Sequence, residues 1–156
     1  MVLNYVTVAS DASCGKEATG YAYYIRDDDG TTKKAWRTNH KGISSTKAEI
    51  VAALSALKII SGRNYPKGTK LIYYCDNTTA LQVLTDTFTP KTRAKYLGAI
   101  EMAKELIGEL EIETRHVPAH TGKTDMKRYY LNKWCDINAR AMMKHGRLHI
   151  PRRRDR

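Results

Sequence analysis

Apolar and polar positions along this chain alternate in two different periods. Residues 3–10 (LNYVTVAS) are rich in β-formers with little polar interruption, which predicts a strand covered on both faces. Residues 19–26 (TGYAYYIR) and 32–38 (TKKAWRT) flank the DDDG of positions 27–30. Two such runs around an Asp-Gly turn predict a hairpin. The period then changes. Ile50, Ala53, Leu54 and Leu57 recur at helical spacing behind Ser44, Ser45 and Thr46, residue types that cap helices, and Gly62 lies just past the end. Residues 70–75 (KLIYYC) predict a short buried strand ending at Asp76, and residues 78–84 a short helix. Leu97, Ile100, Ala103, Ile107 and Leu110 form one stripe of a longer helix over 92–110. Residues 111–117 (EIETRHV) alternate as a strand does, and residues 132–144 predict a last helix with Cys135, Ala139 and Met143 on its apolar side. The order βββ-α-β-α-β-α implies an α/β fold. Its five-stranded mixed sheet would hold three antiparallel strands, then alternating helices and strands, with helices flanking it.

Composition narrows the class. The 156 residues, 42% hydrophobic and 28% charged, suit one globular domain with a sizeable core. There is no internal repeat; residues 1–145 read as the domain and 146–156 as a basic C-terminal tail. No apolar run approaches the roughly 20 residues needed to cross a bilayer. The N-terminal MVLNYVTVASDAS lacks a basic n-region and meets an acid at Asp11, unlike a secretory signal. Cys14, Cys75 and Cys135 are odd in number and form no C-x-x-C, which argues against a disulfide framework and for a reducing, cytoplasmic setting. The 27 Lys and Arg against 16 Asp and Glu leave a formal charge of +11. Such an excess points to a polyanionic partner, with simple solubility as the rival reading. Residues 144–156 carry six basic side chains and one acid, so +6 remains on the body.

Four acids sit where structure alone explains them poorly. Asp11 ends the first strand, on the face of Tyr5, Thr7 and Ala9. Glu49 lies in the first turn of the first helix beside its apolar stripe, and Asp76 follows LIYYC. Asp136 adjoins Cys135 on the core-facing side of the last helix. Singly they read as a helix-dipole partner, two loop caps and a solvated helix residue. Together, two strand ends and two helix faces can converge at one edge of a sheet. Two carboxylates about 4 Å apart repel by roughly 4 kcal/mol at an effective dielectric of about 20. A cluster of four must therefore take up protons or bind a cation. Oxygen donors without Cys or His favour Mg²⁺ or Mn²⁺. An acidic metal centre in a basic protein suits phosphodiester chemistry, the surface holding the backbone and the metals the scissile phosphate.

The motifs DAS (11–13), SSTKAE (44–49), YCDN (74–77), VPAHTG (117–122) and WCD (134–136) together resemble ribonuclease H of type 1, over about residues 3–144. The resemblance implies the ribonuclease H-like fold and an endonuclease that hydrolyses the RNA strand of RNA–DNA hybrids, leaving 5′-phosphate and 3′-hydroxyl ends. Asp11, Glu49, Asp76 and Asp136 match the carboxylates that bind two divalent cations, one serving the attacking water and one the leaving 3′-oxygen. His120 matches the histidine that assists proton transfer and product departure. Ser45, Thr46 and Thr78 fall at positions that touch the hybrid's minor groove, and Ser13 where the RNA strand is contacted. The implied partner is an RNA–DNA hybrid bound by a monomer, with no membrane and no small-molecule cofactor.

The sequence departs from the family pattern in three places. CGKEATG replaces the usual glycine-rich turn after the first Asp, and the basic helical handle of some relatives has no room between Asp76 and Thr92. The stretch from His120 to Asp136 is long, basic and aromatic. Lys123, Lys127 and Arg128, with Tyr129, Tyr130, Lys133, Trp134 and the tail, are expected to replace the handle as hybrid grips, the alternative being that Tyr130 and Trp134 pack against the last helix. Gly122-Lys123-Thr124 is no P-loop, since Val117 stands where its first glycine belongs. His116 and His120 have zinc-like spacing but no partner cysteines, and Asp125 reads as a solvated loop acid. The rival functions are a non-catalytic module of the same fold that binds hybrid or double-stranded RNA, and a related nuclease acting on DNA junctions or ends.

Overall fold

The computed structural model describes residues 5–40, 42–118 and 130–151. Strands β1 (Tyr5–Cys14), β2 (Thr19–Asp27) and β3 (Gly30–Thr38) form an antiparallel meander, and β4 (Lys70–Cys75) and β5 (Glu111–His116) complete a five-stranded sheet of order β3-β2-β1-β4-β5. β1 pairs antiparallel with β2 and parallel with β4, and β4 pairs parallel with β5. The mixed sheet is therefore as expected, with β1 at its centre.

Alternation along β1 sends side chains into two cores. Val6 and Val8 pack with Ile50, Ala53 and Leu57 of α1 (Ser45–Ser61) and with Ile100 and Ala103 of α4 (Leu97–Ile107). Ala9 points the other way, with Ala22 and Tyr24 of β2, against Leu131, Cys135 and Ala139 of α5 (Tyr130–His145). Small residues let α5 lie close to the sheet. A Cβ on Gly20 would stand 1.9 Å from the Ala139 carbonyl oxygen, so only glycine fits there. On the first face the buried Ser10 hydroxyl and Tyr73 hydroxyl share a 2.6 Å hydrogen bond.

Three expectations are corrected. The helix expected over 92–110 is two helices, α3 (Pro90–Lys95) and α4, beyond the short α2 (Thr78–Thr85). Tyr96 breaks it with φ −110° and ψ 15°: its N–H turns back to the Arg93 carbonyl at 3.1 Å and its ring stacks on Phe88 with centroids 5.0 Å apart. Gly108, at φ +55°, stops α4 before Leu110. Next, Asp11 does not end β1, which runs on to Cys14. Lastly, Ser44 is the cap of α1, its hydroxyl accepting the Lys47 N–H at 3.2 Å. Glu49 is thus the fifth helical residue and lies beyond the first turn.

The register of β1 creates the one opening that matters. Pairing with β4 stops at Ala9 opposite Tyr74, while pairing with β2 continues to Cys14 opposite Thr19. Past Ala9, β1 pairs on one side only among the described residues. Groups from the α1 face and the α5 face can meet in that gap, at the carboxyl ends of two parallel strands, where open α/β sheets place their ligands.

Candidate active site

A cleft of about 410 Å³ fills the gap, lined by Asp11, Ala12, Ser13, Cys14, Ser45, Glu49, Asp76, Asn77, Asp136 and Arg140. All four singled-out acids are there. Asp11 comes from inside β1, Glu49 from α1, Asp76 from the residue after β4, and Asp136 from α5.

Burial grades these carboxylates. Asp11 and Glu49 are only 8% and 5% exposed, Asp76 is half-buried, and the Asp136 side chain keeps 44% of its surface. Asp136 therefore sits on the rim, not on the core-facing side expected from its neighbours; Cys135 and Ala139 take that side instead. The Ala12 N–H donates to Asp11 Oδ1 at 2.9 Å and to Glu49 Oε1 at 3.1 Å, pinning two acids with one donor. That is too little to offset desolvation. Burial, with the negative charges of Asp76 and Asp136, raises the Asp11 carboxyl above its ordinary range, although its hydrogen bond with Glu49 works in the opposite direction. Glu49 is raised further, by burial first and then by Asp11 and Asp76. Both shifts favour the protonated forms, the direction that mutual repulsion and burial require.

The surrounding groups hold the acids in place. Cys75 Sγ lies 3.9 Å from Glu49 Oε2 and accepts the Asn77 N–H at 3.4 Å. Possible ligand atoms of Glu49, Cys75 and Asp76 all fall within 4.8 Å of one another. Burial pushes the Cys75 thiol well up, which favours an S–H donor to Glu49, and Cys75 is not among the residues that line the cleft. Asn77 caps α2 by accepting the Ala80 N–H at 2.9 Å, and His116 Nε2 meets the Asp76 carbonyl at 3.1 Å. Asp76 is thereby fixed between a strand end and a helix start. Among the described residues Arg140 is the one basic side chain lining the cleft, and its guanidinium contacts Asp136 Oδ1 at 3.3 Å. A larger opening, of about 560 Å³, lies at the far hairpin by Asp27, Arg63 and Tyr65. Its buried acid is already engaged: the Tyr65 hydroxyl and Arg63 hold the Asp27 carboxyl below its usual range.

Of the expected substrate contacts, Ser13 and Ser45 line the cleft. Thr46 and Thr78 stand in the first turns of α1 and α2 beside lining residues but are not themselves on the cleft wall. His120, Lys123, Asp125, Lys127 and Arg128 lie outside the described residues. Sequence reasoning missed Asn77, Cys75 and Arg140. Arg140 is four residues after Asp136, and that i, i+4 spacing on a predicted helix was a usable signal.

A model of the family described as RNase H matches residues 4–144. No curated protein sequence matches the chain. Among solved structures, the RNase H1 of the halophilic archaeon Halobacterium salinarum NRC-1 is similar at 15% identity and a TM-score of 0.56, covering 74% of this chain and 87% of that one. The N-terminal RNase H domain of Rv2228c from Mycobacterium tuberculosis, solved as a fusion with maltose-binding protein, has 15% identity and a TM-score of 0.59 over 85% and 94% of the two chains. LC11-RNase H1, solved in complex with an RNA/DNA hybrid, has 12% identity and a TM-score of 0.57 over 82% and 91%. At such identities these structures speak for the shared fold.

Proposed function

Since the chain belongs to the RNase H family, we propose that it is an endonuclease hydrolysing the RNA strand of RNA–DNA hybrids with two divalent cations, leaving 5′-phosphate and 3′-hydroxyl ends. One observation carries this reading. Two buried carboxylates, both raised toward their protonated forms, face two more in one open cleft whose only described cation is a guanidinium on the rim.

The donor set on the cleft wall fits Mg²⁺, with Mn²⁺ as a substitute: carboxylate oxygens and charge to be neutralised. Asp11, Glu49, Asp76 and Asp136 would hold the ions. When bound, these supply charge to the scissile phosphate and leaving oxygen and lower the pKa of the attacking water. The chain's own residues do the rest. Ala12 and Cys75 orient the Asp11–Glu49 pair, so the ligands are pre-positioned at small entropic cost. Asp136, on the rim, is the ligand most able to adjust as substrate enters, and Arg140 holds it between turnovers. His120 is assigned proton transfer at the leaving side. Ser13 and Ser45, with Thr46 and Thr78 nearby, would meet the minor groove, where a row of 2′-hydroxyls separates RNA from DNA. Lys123, Lys127 and Arg128 would hold the backbone. Neutralising them should lower the salt dependence of binding by roughly 0.9 for each phosphate they no longer neutralise, and an unchanged slope removes that assignment.

The test presents RNA–DNA hybrid, double-stranded RNA, single-stranded RNA and duplex DNA with Mg²⁺ and with EDTA, beside Asp76→Asn. Cleavage of hybrid alone, abolished by EDTA and by the substitution, supports the reading. Equal cutting of duplex DNA, or binding of hybrid without cleavage, refutes it in favour of a DNA nuclease or a binding module.

A further inference from the structure

We propose a second nucleic-acid contact on the α5 face of the sheet, a box of Tyr24, Tyr130 and Trp134 rings with Lys33 and Arg26, that takes a single-stranded extension of the substrate. The inference rests on the hybrid-nuclease reading and adds a substrate feature to it.

Register puts Arg26, Tyr24 and Lys33 on one face: Tyr24 is opposite Lys33 across β2 and β3, and Arg26 is two residues along. That face is the one α5 covers through Ala22 and Tyr24. The Tyr24 ring meets Tyr130 and Trp134 edge-on, with centroids 5.9 Å and 5.7 Å away. Lys33 Nζ stands 5.6 Å from the Tyr24 centroid and 5.3 Å from that of Trp134, and the Arg26 guanidinium 5.9 Å from Tyr24. Tyr24 is buried, but Tyr130 keeps 44% of its surface and Trp134 is half-buried, so aromatic area stays open beside two exposed cations.

Packing alone needs none of this openness. Neither Lys33 nor Arg26 forms an ion pair with a carboxylate among the described residues. The nearby turn acid Asp27 is engaged on the opposite face of the hairpin by Tyr65 and Arg63. Rings that can stack, next to unneutralised cations, are the ingredients of single-strand binding, in which bases lie on aromatic faces and phosphates on basic groups. A base-paired strand has no free base to stack, so the surface favours an unpaired one. The box also shares α5 with the candidate active site, Trp134 being two residues before Asp136. A strand leaving the cleft past the start of α5 meets these rings.

The test measures Kd for a blunt RNA–DNA hybrid and for hybrids carrying a single-stranded extension at each end in turn. It uses Asp76→Asn protein to prevent cutting, with Lys33→Ala/Arg26→Ala and Tyr130→Ala added separately. The parent should bind at least one extended hybrid roughly tenfold more tightly than the blunt one, as one stacked base with its phosphate allows. Both sets of changes should erase that difference, bringing extended hybrids down to the blunt level, and leave the melting temperature nearly unaltered. Equal binding of blunt and extended hybrids by the parent overturns the proposal, and so does an undiminished preference in the variants. A drop in melting temperature with the preference intact identifies the box as packing only. Cleavage of blunt hybrid by the unaltered protein reports on the nuclease reading separately.

Discussion

Asp11→Asn should stabilise the cation-free protein at alkaline pH while destroying its response to Mg²⁺. The Asp11 carboxyl is pushed up to about 7 from an ordinary 3.8, by burial foremost. A raised acid binds its proton more tightly folded than unfolded. Its contribution to stability is therefore intact below about pH 4, declines as pH rises and is fully lost above about 7. At about 1.4 kcal/mol per unit the ceiling of that loss is near 4 kcal/mol, and relaxation together with water entry into the open cleft brings the working figure to about 2. Asparagine keeps the shape and can still accept the Ala12 N–H, but carries no charge. In EDTA at pH 8 the variant should melt about 4–8 °C above the parent, given roughly 2–4 °C per kcal/mol for a chain of this size. The gain should shrink between pH 7 and 5 and vanish near pH 4. Millimolar Mg²⁺ should raise the melting temperature of the parent and leave the variant's unmoved. Scanning fluorimetry over pH, with and without Mg²⁺, reads all of this. A variant less stable than the parent at pH 8 in EDTA, or a gain independent of pH, would show that Asp11 is not held above its ordinary range.

Other parts of the molecule give independent tests. Gly20→Ala drives a Cβ into the backbone of Ala139 and Met143, at 1.9 and 2.6 Å. It should cost about 3 kcal/mol in urea unfolding and lower hybrid cleavage by displacing α5, whereas a neutral result would mean α5 is not held that close. Tyr73→Phe strips the buried Ser10 hydroxyl of its partner and should cost about 1–3 kcal/mol with cleavage retained. Asp86 is held down at about 2 by Arg93 and Lys104, so its share of stability is complete above about pH 4 and lost as pH falls toward 2. Asp86→Asn, which tolerates the left-handed φ of 53° there, should flatten acid unfolding over that range, and an unchanged acid limb would dismiss the pairing.

How far the fold was legible follows from which signals are local. The aromatic and β-branched runs of β2 and β3 around an Asp-Gly turn, and the apolar LIYYC, are read directly, because a hairpin and a buried strand each dictate those residue types locally. The break at Tyr96 was not, since it is made by a ring stacking on Phe88 across a loop and carries no Gly or Pro mark. The extension of β1 past Ser10 was hidden for a similar reason: DASC looks like a turn, and only pairing with β2 keeps it extended. The acids were legible as types out of place. Their grading was not, because whether Asp136 sits on the rim or inside depends on the side of α5 that Cys135 and Ala139 claim. Cys75 read as strand filling, and its role as a donor to Glu49 appears only when α1 crosses β1.

The proposed reaction depends on Asp11, Glu49, Asp76 and Asp136 caging divalent ions together. Anomalous diffraction from crystals grown with Mn²⁺ and a hybrid, using Asp76→Asn beside the unaltered protein, tests it most directly. Two Mn²⁺ peaks are expected in the unaltered protein, each about 2.0–2.3 Å from oxygens of these four side chains, with at least one peak missing in the variant. Well-ordered hybrid over the cleft with no Mn²⁺ between the carboxylates would contradict it.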